Sequence, residues 1–218
     1  MSKLKLNYLI AISACAAIVS QLLGQYLAFS ILKPLTSVLV ILLVVVYRQD
    51  KSSLTSIVII GLIACLGGDV LLLDESLFAY GLSSFVLAHL LFTYLFYSLA
   101  KGRMNYAPLI ALLLFAACFY SILLPKLTEL TIPVAVYQLC ISVMCWQGIN
   151  LYLSRRDQVG RWLCIAGLLF VFSDTIIAVN KFLIPFELSG PVILLSYWLS
   201  IALIANVFTF TAVEIKGK

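Results

Sequence analysis

Apolar residues run through this chain in long, nearly unbroken stretches, and polar residues gather in short clusters between them. A helix needs about 20 mostly apolar residues to cross a hydrocarbon core about 30 Å thick. Taking the apolar runs between polar breaks predicts eight helical segments: Asn7–Phe29, Pro34–Tyr47, Leu54–Leu73, Leu77–Leu99, Tyr106–Leu124, Ile132–Leu153, Gly160–Lys181 and Ser189–Val213. The second is short and opens on Lys33-Pro34, where proline suits the first turn of a helix. The breaks at Gln49-Asp50, Asp74-Glu75, Lys101-Gly102, Pro125-Lys126, Arg155-Arg156-Asp157 and Pro185 leave no long connection, which predicts one compact bundle.

Composition identifies the solvent. The 218 residues are 64% hydrophobic and 11% charged, with a mean hydropathy of +1.15. A soluble domain carries about 25% charged residues to wet its surface, so this chain must face mostly lipid. The expected fold is an all-α integral membrane protein of about eight transmembrane helices. Lys3 and Lys5 before an apolar run resemble the start of a signal peptide, and Ile12-Ser13-Ala14-Cys15 loosely matches a lipoprotein cleavage site. The run continues past Cys15 to Phe29, the length of a whole span, so it is read as the first helix.

Charge sets the orientation. With the N-terminus inside, the inner groups carry Lys3, Lys5, Arg48, Lys51, Lys101, Arg103, Arg155, Arg156, Arg161, Lys216 and Lys218. The outer groups carry only Lys33, Lys126 and Lys181. This imbalance places both termini in the cytoplasm, and a short chain with minimal loops suits a bacterial inner membrane. The net charge of +5 is thereby assigned to topology, and no basic patch with interleaved aromatics points to nucleic acid. Cys15, Cys65, Cys118, Cys140, Cys145 and Cys164 all lie in apolar runs without C-x-x-C spacing, as small packing residues do. Trp162 and Trp198 are expected in the interfacial aromatic belt.

Two charged residues break the pattern by lying inside spans. An aspartate at a helix centre costs about 2.5–3.5 kcal/mol on the insertion scale, so Asp69 and Asp174 must face the bundle interior or a wet cavity. Counted from the inner ends of their helices, both lie roughly 21–22 Å along at 1.5 Å per residue. The two carboxyls are therefore expected at one level, in the outer half. His89, the only histidine, lies on the fourth span, and Tyr94 lies deeper on the same helix. Tyr197, Lys33, Asn180 and Lys181 fall in the outer third or at the outer boundary.

Each residue also has a structural reading. The aspartates can glue helices by pairing with Lys33 or Lys181, His89 can bond a neighbouring backbone, and the remaining polar residues can simply pack. Two aspartates and one histidine match the ligand count of a catalytic zinc, but no H-E-x-x-H pair and no second histidine accompany them, so no metal or other cofactor is assigned. A proton-coupled transporter of small molecules or lipids would use the same aspartates, although no inverted repeat or broken helix pair supports it. A different lipid hydrolase and a lipid-binding scaffold are further classes.

The chain resembles the YhhN family, whose animal members are the TMEM86 lysoplasmalogenases. The resemblance rests on Lys33-Pro34, on Gly68-Asp69 with Leu72, and on Phe78, Gly81, Phe85 and His89 in a G-x-x-x-F-x-x-x-H pattern. It continues through Gly167, Phe170, Ser173-Asp174 and Asn180-Lys181-Phe182 to Tyr197. The family's closing Y-x-x-A-Q is altered here, with Ser200 and Ile201 in the last two places. The resemblance implies hydrolysis of the vinyl ether bond of lysoplasmalogens, a lysophospholipid substrate drawn from membrane lipid. That chemistry needs one protonated and one ionised carboxyl, so Asp69 and Asp174 are read as an acid–base pair with the acid left unassigned, and His89 as orienting a carboxyl or relaying protons. Lys33, Lys181, Asn180, Tyr197 and Tyr94 are the expected substrate-binding residues.

Overall fold

Helices form wherever the apolar runs allow, and local signals fix their ends. The computed structural model describes residues 2–49, 51–100 and 104–210. Eight α-helices occupy them: α1 Lys3–Leu22, α2 Tyr26–Tyr47, α3 Ser53–Leu71, α4 Phe78–Leu99, α5 Ala107–Leu127, α6 Thr131–Arg155, α7 Gln158–Ala178 and α8 Ser189–Val207. Asp50, Lys101, Gly102, Arg103, Lys216, Lys218 and the end of the last predicted span at Val213 lie outside the described residues. Seven helical stretches are long and apolar enough to cross a membrane, and one of them, Ala107–Arg155, contains both α5 and α6. Tyr120 bonds the backbone of Thr131 near the turn, and Trp146 and Asn150 bond Asn105 before α5. That stretch is therefore an antiparallel hairpin. The chain is an integral, multi-pass membrane protein.

The caps are those of exposed helix ends. Ser2 and Ser52 side chains accept from the N–H groups of Lys5 and Thr55 at the starts of α1 and α3. Asp157 does the same for α7, accepting from Gly160 at 2.8 Å, while Arg155 holds its other oxygen. Partial burial works against the Asp157 charge, but the Gly160 N–H and the Arg155 guanidinium outweigh it and keep the carboxyl below its usual range.

The largest departure from the predicted segments is at the first turn. Residues 23–25 separate α1 from α2, and α2 begins at Tyr26 rather than Pro34. Gly24 takes φ +66°, a conformation that glycine adopts without steric cost, and Gln25 donates back to Ser20 to close α1. The apolar residues on both sides hide this break in the hydropathy pattern. Lys33-Pro34 consequently lies inside α2, and Lys33 is buried rather than sitting at a boundary. Trp198 is likewise buried in the middle of α8 rather than in an interfacial belt.

Neighbouring helices pack in the order α1, α2, α3, α4, α6, α7, α8, and α8 closes back on α1. Helix α8 also touches α2 and α3. Helix α5 stands outside this ring against α6 and a π-helical turn, Val179–Leu183, that prolongs α7. Only Leu123 and Leu127 of α5 are buried. Lipid is as apolar as leucine, so close packing rather than water exclusion holds such helices together. At the α3–α4 contact a Cβ on Gly68 would overlap the Phe85 ring. Gly68→Ala is therefore expected to cost about 1–3 kcal/mol through overpacking, seen as a lower midpoint of thermal unfolding in detergent.

Candidate active site

Helices α3 and α7 both finish at the same end of the bundle, where α1 ends and α2, α4 and α8 begin. Asp69 lies two residues before the end of α3, and Asp174 lies four residues before the end of α7, where the π-helical turn takes over. Both carboxyls are thus set near one end of the bundle. Each is held by a different set of helices.

Asp69 is 2% exposed and occupies the junction of α2, α3 and α8. Its Oδ2 accepts from Ser37 of α2 at 2.5 Å and from Tyr197 of α8 at 2.8 Å. Lys33, one turn before Ser37, lies within electrostatic reach of this carboxyl without a direct ion pair. Its ammonium stands 6.0 Å from the centre of the Phe29 ring.

Asp174 faces the other way, onto a lateral groove between α4, α5, α6 and α7 that is open to the surroundings. Its Oδ2 accepts from Tyr137 of α6 at 2.7 Å. His89 Nε2 lies 3.8 Å from the same oxygen, an ion-pair distance but too long for a hydrogen bond. Neither ring nitrogen of His89 has a hydrogen-bond partner within the protein, and its side chain is 0% exposed. The groove walls are mostly apolar, with Leu82, Phe85, Phe115, Phe119 and Phe182, and carry Gln138, Ser142 and Thr175 as further polar residues.

Among the described residues, no hydrogen bond or ion pair joins Asp69 to Asp174. Between them stands a cluster of rings packed edge to face. Phe85, Phe170 and Tyr197 form a triangle with centroids 5.6–6.2 Å apart. His89 packs on Phe170 at 4.8 Å and on Tyr137 at 5.0 Å. The two carboxyls thus sit at opposite ends of one chain of ring contacts, Tyr197–Phe170–His89–Tyr137.

Of the site residues expected from sequence, only Asp174 lines the groove, and His89 and Asp69 stand behind it. Lys181 is exposed, with its ammonium 4.4 Å from the centre of the Phe78 ring, and Phe78 belongs to the groove wall. Asn180 accepts from Phe186 N–H and shapes the turn after α7. Tyr197 serves Asp69, and Tyr94 is 56% exposed on the outside of α4. Ser37 and Tyr137 were not among the expected residues, because neither carries the charge that singles out an intramembrane position. At the altered motif, Ser200 bonds the Ala166 carbonyl and Ile201 is buried in the core. Among the described residues, no three His, Cys, Asp or Glu side chains converge as metal ligands.

Comparison with known proteins places this site in context. The YhhN family model matches residues 28–208. The human (Homo sapiens) lysoplasmalogenase TMEM86A is 32% identical over 158 residues, covering 68% of this chain and 63% of that protein. The lysoplasmalogenase TMEM86B of Rattus norvegicus is 30% identical over 132 residues, covering 60% of this chain and 52% of that protein. The matched region thus spans between half and two thirds of these relatives' length. No solved structure matches the chain.

Proposed function

Because this chain belongs to the YhhN family, we propose that it is a lysoplasmalogenase, a membrane-embedded hydrolase that cleaves the vinyl ether bond of lysoplasmalogens. The products are a fatty aldehyde and a glycerophospho-ethanolamine or glycerophospho-choline. The observation that carries this reading is the position of Asp174, a carboxyl opening from the bundle onto a mostly apolar groove. The apolar walls match an alkenyl chain in chemistry, and the carboxyl is the group that would meet the one bond in the chain that acid can break.

A vinyl ether resists base and yields to a proton on its β-carbon. Asp174 is the acid: its O–H bond breaks, a C–H bond forms at the β-carbon, and an oxocarbenium ion results. Asp174, now a carboxylate, takes a proton from the water that adds to the cation. The hemiacetal then collapses: its C–O bond to glycerol breaks, the departing glycerol oxygen gains a proton, and the hemiacetal hydroxyl loses one as it becomes the aldehyde carbonyl. Positioned acids of this kind contribute about 10²–10⁴-fold to rate. His89, 3.8 Å from Asp174 Oδ2, packs beside the carboxyl and helps to hold it in position. Asp69 supplies the second charge behind the aromatic wall, balanced by Lys33. Lys181, at the groove mouth, is the cation that attracts the lipid phosphate.

The lysine and arginine distribution supports cytoplasmic termini, and the short connections suit a bacterial inner membrane, in which the groove would lie nearer the periplasmic face. The direct test is aldehyde release from lysoplasmenyl-ethanolamine by detergent-purified protein. A folded wild-type protein that releases none would overturn the reading. Ala116, on the peripheral helix α5, lines the groove without belonging to the buried core. Ala116→Trp is expected to fill the groove and raise KM about tenfold or more, a loss of about 1.4 kcal/mol in binding, with an unchanged melting curve. Unchanged KM would place the alkenyl chain elsewhere.

A further inference from the structure

The two oxygens of Asp174 are not equivalent. Oδ2 accepts the Tyr137 hydroxyl at 2.7 Å and has His89 Nε2 3.8 Å away. Oδ1 makes no hydrogen bond within the protein, yet it is not among the buried unpaired atoms, unlike the two ring nitrogens of His89. The side chain retains 12% exposure, so Oδ1 is the oxygen that opens to the groove.

From this we infer that Tyr137 is a positioning residue that fixes which oxygen of Asp174 carries the proton, a deepening that rests on the lysoplasmalogenase reading above. Tyr137 is 7% exposed and its hydroxyl has one hydrogen-bond partner, Asp174 Oδ2. A buried hydroxyl hydrogen left without an acceptor costs about 1–3 kcal/mol. Tyr137 therefore donates to Oδ2, which becomes the carbonyl oxygen of the acid form. The acidic hydrogen is then confined to Oδ1, on the groove side where the β-carbon must approach.

The reverse arrangement, with the proton on Oδ2 and donated to the tyrosine, has two faults. It strands the phenolic hydrogen and turns the acidic proton away from the substrate. The edge-on contact of the Tyr137 ring with His89, 5.0 Å between centroids, keeps the phenol from swinging aside. Removal of the hydroxyl alone leaves the ring, the groove wall and the His89 contact in place, so it isolates proton placement from packing.

The experiment compares Tyr137→Phe with wild type and with Asp174→Asn, all as the full chain in detergent. With lysoplasmenyl-ethanolamine, Tyr137→Phe is expected to lose roughly tenfold or more in kcat, with KM and melting temperature held. In infrared spectra, the carboxyl C=O band that Asp174→Asn removes is expected at higher frequency in Tyr137→Phe, because the carbonyl oxygen has lost its donor. A kcat within twofold of wild type, a loss confined to KM, or an unshifted band overturns the inference. The infrared readout needs no turnover and keeps the test decisive if Tyr137→Phe lowers stability. Should wild type release no aldehyde, or Asp174→Asn keep its rate, it is the underlying functional reading that fails.

Discussion

Asp174→Asn is expected to abolish aldehyde release, lowering turnover by about 10²–10⁴-fold, the contribution of a positioned general acid. Asparagine has nearly the same shape, and its carbonyl oxygen can still accept the Tyr137 hydroxyl, so the groove and the α6–α7 contact survive. What it lacks is an acidic hydrogen for the β-carbon. The result should therefore appear in kcat, while the melting curve and the binding of a non-cleavable alkyl-ether lysolipid stay as in wild type. Activity within tenfold of wild type would mean that the proton comes from another group. His89 stands 3.8 Å from the same carboxyl, and His89→Gln would then be the next variant to assay.

The second large effect is on stability. Asp69→Ala removes the acceptor shared by Ser37 and Tyr197, which are 1% and 4% exposed, and leaves Lys33 buried without its countercharge. A buried donor left without its acceptor costs about 1–3 kcal/mol, and the buried ammonium loses the carboxylate within its electrostatic reach besides. The cost should fall when Lys33 is also replaced, because Lys33→Met keeps the apolar stem and removes the ammonium. A double-mutant cycle on unfolding in detergent checks this: a double variant more stable than Asp69→Ala alone is the expected result. If the two losses simply add, Lys33 is not the charge that Asp69 balances. Activity should fall with Asp69 as well, since Tyr197 is one side of the ring triangle against which His89 packs through Phe170.

Much of this was legible in the sequence because a membrane makes charge conspicuous. Asp69 and Asp174 stood out against apolar neighbours, and depth counting put both near one end of the bundle, where the structure has them. Depth counting is blind to azimuth. It could not show that Asp174 faces a groove while Asp69 faces α2 and α8, or that aromatic rings stand between them. Tyr137 was missed for a related reason. It is uncharged, and tyrosines are common in such helices, although the same counting from the end of α6 would have put it near the level of Asp174. Lys33 was set at a helix boundary because Lys-Pro looks like a start signal. The true turn, at Gly24, rests on one backbone conformation that hydropathy does not register.

The position of α5 has a consequence for how the groove can diversify. This helix forms one wall of the groove through Leu112, Phe115, Ala116 and Phe119, yet it lends the core only Leu123 and Leu127, at its far end. Side chains on that wall can grow or shrink without opening voids among the seven helices of the ring. Under the proposed function, preference for alkenyl chain length would be able to drift by substitution on α5 alone, while Asp174 and its supports stay under the constraint of the packed bundle. A sequence library confined to these four positions should yield variants with changed chain preference and near-constant melting temperature.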